Sequence, residues 1–83
     1  MKLVYFSWVR ERIGREEETV ELPDDIATTG QLITWLASRG PEYQHALSDT
    51  KALRIALDRV HVHGDAPLAE AREVALFPPM TGG

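Results

Sequence analysis

The sequence predicts an α+β domain, a mixed β-sheet with one main helix packed on one of its faces. Three observations point there. Short β-branched and aromatic runs open and close the chain, a strongly patterned helical segment lies between them, and no other segment is long enough to cover a sheet face. At 83 residues there is room for one core only. With 43% apolar and 27% charged residues, the composition is that of a folded domain rather than a disordered chain.

Each element follows in order. Lys2 to Val9 is rich in β-branched and aromatic residues and reads as a strand, with Arg10 to Arg15, around Gly14, as a polar turn. Thr19-Val20-Glu21-Leu22 alternates apolar with polar and is stopped by Pro23-Asp24-Asp25, so the first two strands form an antiparallel hairpin. Thr28 followed by Gln31 is a capping-box pattern, in which a hydroxyl and an amide satisfy orphan N–H groups at a helix start. Leu32, Ile33, Leu36 and Ala37 then make one apolar stripe; Gly40 supplies the C′ position and Pro41 blocks continuation. A shorter helical turn is expected over Glu42 to Leu47, then a polar loop from Ser48 to Lys51. Leu53 to Asp58 and Val60 to His63 read as two alternating runs kinked near Asp58-Arg59, Gly64 to Pro67 as a turn, and Glu73 to Phe77 as the last strand. A crossover through the helix returns the late strands parallel to the first, which makes the sheet mixed.

Alternation assigns the sides of the sheet. Leu3, Tyr5 and Ser7 share one side of the first strand; Lys2, Val4 and Phe6 share the other. On the last strand Val74 and Leu76 oppose Glu73, Ala75 and Phe77. Since charge marks the solvated face, Lys2 and Glu73 place Val4, Phe6, Ala75 and Phe77 on the open side. Two phenylalanines there form an exposed apolar patch of the kind that partners use; the alternative is that the short second helix or a loop folds over them.

The chain divides into a domain over residues 1–77 and a tail over 78–83. Pro78 and Pro79 have fixed φ and no N–H, so pairing into the sheet stops and the chain leaves as a stiff, extended arm. From Pro79 to Gly83 it reaches at most about 17 Å, at ~3.3–3.6 Å per residue. Gly82 and Gly83 carry no side chains, so a terminal carboxylate can be threaded into a narrow channel where any Cβ would collide.

Composition excludes several functions. The absence of cysteine removes a disulfide framework, a thiolate metal site and a thiol nucleophile together. Nine Lys+Arg against 13 Asp+Glu give a formal charge of −4, the wrong sign for a nucleic-acid surface and better matched to a basic partner groove. Leu3-Val4-Tyr5-Phe6 is too short for a membrane span and lacks a cleavage site, so a cytoplasmic location is expected. There is no phosphate-cradling glycine loop and no nucleophile elbow, so the domain is expected to have no active site of its own. His61 and His63 lie two apart on one strand face, with Asp65 beyond, but no third ligand is placed with them; no metal is expected. Glu16-Glu17-Glu18 reads as the solvated hairpin turn, Trp35 as partly core, and Trp8 as the end of a strand.

The ending Phe77-Pro78-Pro79-Met80-Thr81-Gly82-Gly83, after Glu73-Val74-Ala75-Leu76, resembles the small-subunit family of molybdopterin synthase, which are ubiquitin-like β-grasp sulfur carriers. The apolar first strand followed by Val9-Arg10-Glu11 and Gly14 is similar too, as is Asp65-Ala66-Pro67-Leu68, so the resemblance covers essentially the whole chain. One departure is Glu70-Ala71-Arg72-Glu73, where the family commonly has an Asp-Gly-Asp-Glu turn.

The resemblance implies a carrier without a bound cofactor. An E1-like activating enzyme uses ATP to adenylate the Gly83 carboxylate, and sulfur then converts it to a thiocarboxylate. The tail, Pro78, Pro79, Met80, Thr81 and Gly82, enters the large subunit of a heterotetramer, where the sulfur passes to cyclic pyranopterin monophosphate; two such deliveries make the dithiolene. Phe6 and Phe77 match apolar positions that contact the large subunit in the family. Two other readings stand beside this one. The chain is a carrier for thiamine, cysteine or tRNA thiolation, or a ubiquitin-like protein modifier; or it is a binding module with an inert tail, for which deleting Gly83 changes nothing.

Overall fold

The structure is a computed structural model, and it describes residues 1–79. The element order is β1 (Lys2–Tyr5), α1 (Ser7–Ile13), β2 (Glu17–Thr19), α2 (Thr29–Ala37), α3 (Pro41–Leu47), a 3₁₀ turn (Thr50–Ala52), β3 (Arg54–Leu57), β4 (Val60–Val62) and β5 (Glu73–Phe77). The strands form one sheet in the order β2-β1-β5-β3-β4, with β1 and β5 parallel at its centre and the remaining pairs antiparallel. The mixed sheet is as expected; of the late strands, β5 returns parallel to β1, but β3 runs antiparallel to β5 and so to β1, because the chain reaches β5 by doubling back from β3 and β4.

Alternation along the two central strands sorts the residues as the sequence suggested. Leu3 and Tyr5 of β1 and Val74 and Leu76 of β5 are fully buried. Their opposite faces carry Val4, Ala75 and Phe77, all partly exposed. Leu32 and Leu36 of α2, Val9 and Ile13 of α1, and Tyr43, Ala46 and Leu47 of α3 complete the core on the buried side. Three helices therefore share the face that one helix was expected to cover.

The largest correction concerns residues 6–15. The strand expected over Lys2–Val9 stops at Tyr5, and the expected polar turn over Arg10–Arg15 is mostly helix. Ser7 takes φ 51, in the left-handed region, and turns the chain out of the sheet into α1. The signal for this helix is the pair Val9 and Ile13 at i, i+4, closed by Gly14 at φ 86 with its N–H on the Arg10 carbonyl. No side chain caps its start, so the usual N-terminal mark is missing.

Four boundaries also move. The second strand is Glu17–Thr19 rather than Thr19–Leu22, because Lys2, Leu3 and Val4 pair with Thr19, Glu18 and Glu17. The helix α2 ends at Ala37, and Gly40, expected at its C′ position, is instead the N-cap of α3. The second helix begins one residue earlier than expected, with Pro41 in its first turn. The expected kink at Asp58-Arg59 is a hairpin turn between separate strands, with φ 48 and 69 at those two residues. Two successive positive φ values match the twist of the flanking strands. The Asp58 carboxylate also accepts from the Arg72 and Glu73 N–H groups at 2.9 and 3.0 Å, which fixes the start of β5. Within residues 70–73, the stretch that lacks the family's glycine, no residue takes a positive φ; the left-handed residue is Ala69 just before it, at 48°.

The capping box at α2 is present in full. Thr28 Oγ1 accepts from the Gln31 N–H at 3.2 Å, and Gln31 Oε1 accepts from the Thr28 N–H at 3.1 Å. A carboxylate also reaches this helix end: Asp65 Oδ1 accepts from the Gly30 N–H at 2.8 Å. That bond and one from the Thr28 hydroxyl lower the Asp65 pKa. A Cβ at position 30 would lie 2.8 Å from Asp65 Oδ1, so glycine is what permits the approach. Thr29, the buried polar residue, accepts from the Ala66 N–H at 3.0 Å and completes the attachment of the 64–67 turn to α2. We expect Thr28→Ala to cost about 1 kcal/mol of stability, the ordinary loss for a cap, read as a shift in urea midpoint at constant slope. An unchanged midpoint would show that Asp65 alone suffices at this helix end.

Candidate functional site: the open sheet face and the root of the tail

The two central strands end together. The Phe6 N–H donates to the Leu76 carbonyl at 3.1 Å, so the parallel pairing of β1 with β5 continues one residue past β1. With Val4 beside Ala75 and Tyr5 beside Leu76, that register sets Phe6 and Phe77 on the same open face at the same end. Phe6 is extended, at φ −127 and ψ 154, and 46% exposed. Beyond Phe77, Pro78 and Pro79 are partly exposed and outside any strand, as fixed φ and missing N–H groups require. Met80, Thr81, Gly82 and Gly83, the rest of the expected tail, lie outside the described residues.

Three zones follow along the open face. Its middle is floored by small side chains, because Val4, Ala75 and Ala56 occupy neighbouring positions in register across β1, β5 and β3. The end away from the tail is charged: Lys2 lies 3.7 Å from Glu17 and 3.9 Å from Glu73, and Arg59 lies 3.9 Å from Glu73. These are exposed pairs and contribute little stability. The tail end is aromatic and basic. Arg54 pairs with Phe77 across the strands, the His61 ring lies 5.5 Å from the Phe77 ring, and the His61 and His63 rings are 4.6 Å apart.

The expected partner-facing residues Phe6, Phe77, Pro78 and Pro79 are thus gathered at one end of the sheet. Arg54, His61 and His63 beside them were not singled out as part of that surface. Their signal was the same period-2 alternation, but it becomes usable only once β3 and β4 are known to be two strands with their own register. Glu18 also departs from the solvated turn expected of it. It is not solvated: its side chain is 6% exposed and accepts from the Tyr5 and Tyr43 hydroxyls, both at 2.7 Å, and from Arg39 at 3.0 Å. Trp8 belongs to α1 rather than a strand end, half-buried under the Arg12 guanidinium 4.6 Å from its ring centre, and Trp35 is partly core. Among the described residues, no three His, Asp or Glu side chains group as metal ligands, and no helix is long and apolar enough to cross a membrane.

The chain that builds this sheet, with one open face, helices on the other and a last strand leading into a proline pair, matches the ThiS family model from residue 3 to residue 83. The chain belongs to the ThiS family. It is 36% identical to the molybdopterin synthase sulfur carrier subunit of Escherichia coli (strain K12), over 100% of this chain and 99% of that one. The protein of the same name from Haemophilus influenzae is 31% identical, again over 100% of this chain and 99% of the relative. Among solved structures, that of SAMP1 from Haloferax volcanii superposes with a TM-score of 0.72 at 24% identity, covering 100% of this chain and 98% of that one. A putative molybdopterin converting factor subunit 1 from Pyrococcus furiosus gives 0.58 at 23%, with 95% of each chain covered. These two likenesses concern the fold, which is the α+β β-grasp expected from the sequence.

Proposed function

We propose that this ThiS family chain is a sulfur carrier of molybdenum-cofactor biosynthesis, the small subunit that delivers sulfur from Gly83 within molybdopterin synthase. What supports the reading most is full-length similarity to sulfur carrier subunits of that enzyme, in a chain whose last strand ends in Phe77-Pro78-Pro79 beside an exposed Phe6.

The chemistry divides between carrier and partners. A carboxylate is a poor electrophile, so the Gly83 oxygen first attacks the α-phosphorus of ATP on an E1-like enzyme, releasing pyrophosphate and leaving an acyl adenylate. A sulfide-level nucleophile adds to that carbonyl, AMP leaves, and the product is a thiocarboxylate. In the large subunit of a heterotetramer the thiocarboxylate sulfur attacks a side-chain carbon of the pterin precursor, cyclic pyranopterin monophosphate, and the oxygen on that carbon leaves, so that a C–S bond replaces a C–O bond and the sulfur is held as a thioester of Gly83. Water then releases the Gly83 carboxylate for another round, and two rounds supply both dithiolene sulfurs. The domain contributes a rigid handle: Phe6, Phe77, Pro78 and Pro79 dock at the mouth of a partner's channel, and Met80, Thr81, Gly82 and Gly83 thread into it. ATP and reduced sulfur are cytoplasmic reagents, and so is the carrier.

Incubation with the activating enzyme, ATP and sulfide should shift the intact mass by one oxygen-to-sulfur exchange, and fragmentation should map the change to Gly83. An unmodified chain, or a modification elsewhere, overturns the reading. The large protein that co-purifies separates this pathway from thiamine, cysteine or tRNA thiolation.

A further inference from the structure

We propose that the cleft bounded by Lys51, Arg54 and His63, at the tail-bearing end of the sheet, receives an acidic side chain of the large subunit that grips the tail. The proposal rests on the function proposed above. The cleft encloses about 390 Å³ between the 3₁₀ turn and the end of the β3–β4 hairpin, with Thr50, Lys51, Arg54 and His63 as its polar walls over Leu53 and Ile55. No carboxylate lines it among the described residues. Arg54 Nη1 donates to the Lys51 carbonyl at 2.9 Å and to the Leu53 carbonyl at 3.1 Å. One nitrogen thus anchors the guanidinium, and its Nε and Nη2 groups are left for another acceptor in a preset orientation.

The charge here contrasts with the rest of the sheet. At the far end Lys2 and Arg59 are neutralised by Glu17 and Glu73, and on the buried side Arg39 is neutralised by Glu18. Among the described residues, Lys51, Arg54 and His63 have no carboxylate at ion-pair distance. In a chain of net charge −4, a basic pocket with no internal counterion calls for one from outside. Its position names the source. Arg54, one wall of the cleft, is the cross-strand neighbour of Phe77, so whatever takes hold of Phe77 and the tail comes alongside that wall. A partner carboxylate placed there forms charge-assisted hydrogen bonds and fixes the angle at which the tail enters.

The test is a titration of the cognate large subunit with Lys51→Glu, His63→Glu and, as a control, Arg59→Glu at the opposite end of the sheet. At ~50 mM salt, Lys51→Glu should weaken binding about tenfold or more, and His63→Glu by several-fold, since close like charges across an interface repel. At ~0.5 M salt both deficits should shrink to about twofold through screening. Arg59→Glu, with the same change of net charge as Lys51→Glu, should stay within about twofold of the parent throughout. If both cleft variants match Arg59→Glu while Gly83 still accepts sulfur and the complex still forms, the acidic contact is overturned and the sulfur-carrier reading stands. If no complex forms with the unsubstituted chain, both fall.

Discussion

Glu18→Ala is expected to lower the unfolding free energy by about 3 kcal/mol and the melting temperature by roughly 15 °C, as buried hydrogen-bonded groups stripped of their shared acceptor do. Glu18 lies at the centre of β2, paired with Leu3, and period-2 alternation turns it to the same side as that buried leucine. There it ties three elements together: Tyr5 from β1, Tyr43 from α3, and Arg39 from the α2–α3 connection. Removing the carboxylate leaves the fully buried Tyr5 without an acceptor and the nearby Arg39 without its counter-charge. Total stability for 83 residues is of the order of 4–12 kcal/mol, so this loss is a large fraction of it. Chemical denaturation at neutral pH measures it; a loss under about 1 kcal/mol would mean that water takes over the acceptor role.

The same cluster sets a pH window. Burial by itself would raise the Glu18 pKa, but hydrogen bonds from Tyr43, Tyr5 and Arg39 outweigh it, and the net shift is downward. A carboxyl group depressed on folding stabilises the fold above its unfolded pKa of about 4.3, and that contribution is lost as the pH falls through the folded value. Tyr5 is shifted upward by burial and by its bond to Glu18, and Tyr43 likewise. A phenol raised on folding gives its full contribution below about pH 10 and loses it as the pH climbs through the folded value. Stability should therefore be flat from about pH 5 to 9.5 and decline on both sides. Glu18→Gln should make the acid limb shallower, since it has no proton to gain there, and leave the part that the lowered Asp65 contributes.

What was legible in the sequence was whatever local rules decide. The capping box of Thr28 and Gln31 and the bounds of β5, Glu73–Phe77, depend on neighbours along the chain, as do the buried sides of β1 and β5. Residues 6–13 were misread because Phe6, Trp8 and Val9 have strand-like side chains, while the switch into α1 is made by a left-handed serine that no propensity marks. Glu18 was missed for a different reason. In the run Glu16-Glu17-Glu18 nothing distinguishes the last one until pairing with Leu3 is known, and register is a property of two strands rather than one. The candidate surface divided in the same way. Phe6 and Phe77 follow from alternation within single strands, whereas Arg54 and His61 join them only through the pairing of β3 with β5 and of β4 with β3, and His63 through its ring beside His61.

Phe77→Ala is expected to weaken binding to the large subunit by about 1–3 kcal/mol, between roughly fivefold and a hundredfold in Kd, with little change in folding stability. The asymmetry comes from where the ring sits. Phe77 ends the central strand β5 on the open face, so truncation removes contact area for a partner without opening a cavity in the core formed by Leu76 and its neighbours. The adjoining Val4, Ala75 and Ala56 are too small to supply another anchor, which leaves Phe6 and Phe77 as the large apolar groups beside the exit of the tail. Val60→Ala is the control, because Val60 is 65% exposed but starts β4 at the opposite end of the sheet; it should alter Kd by less than about twofold. Calorimetric titration of the three proteins decides the matter. Equal affinities for Phe77→Ala and the parent would mean that the partner holds the tail alone, and the aromatic end of the sheet would lose its place in the complex.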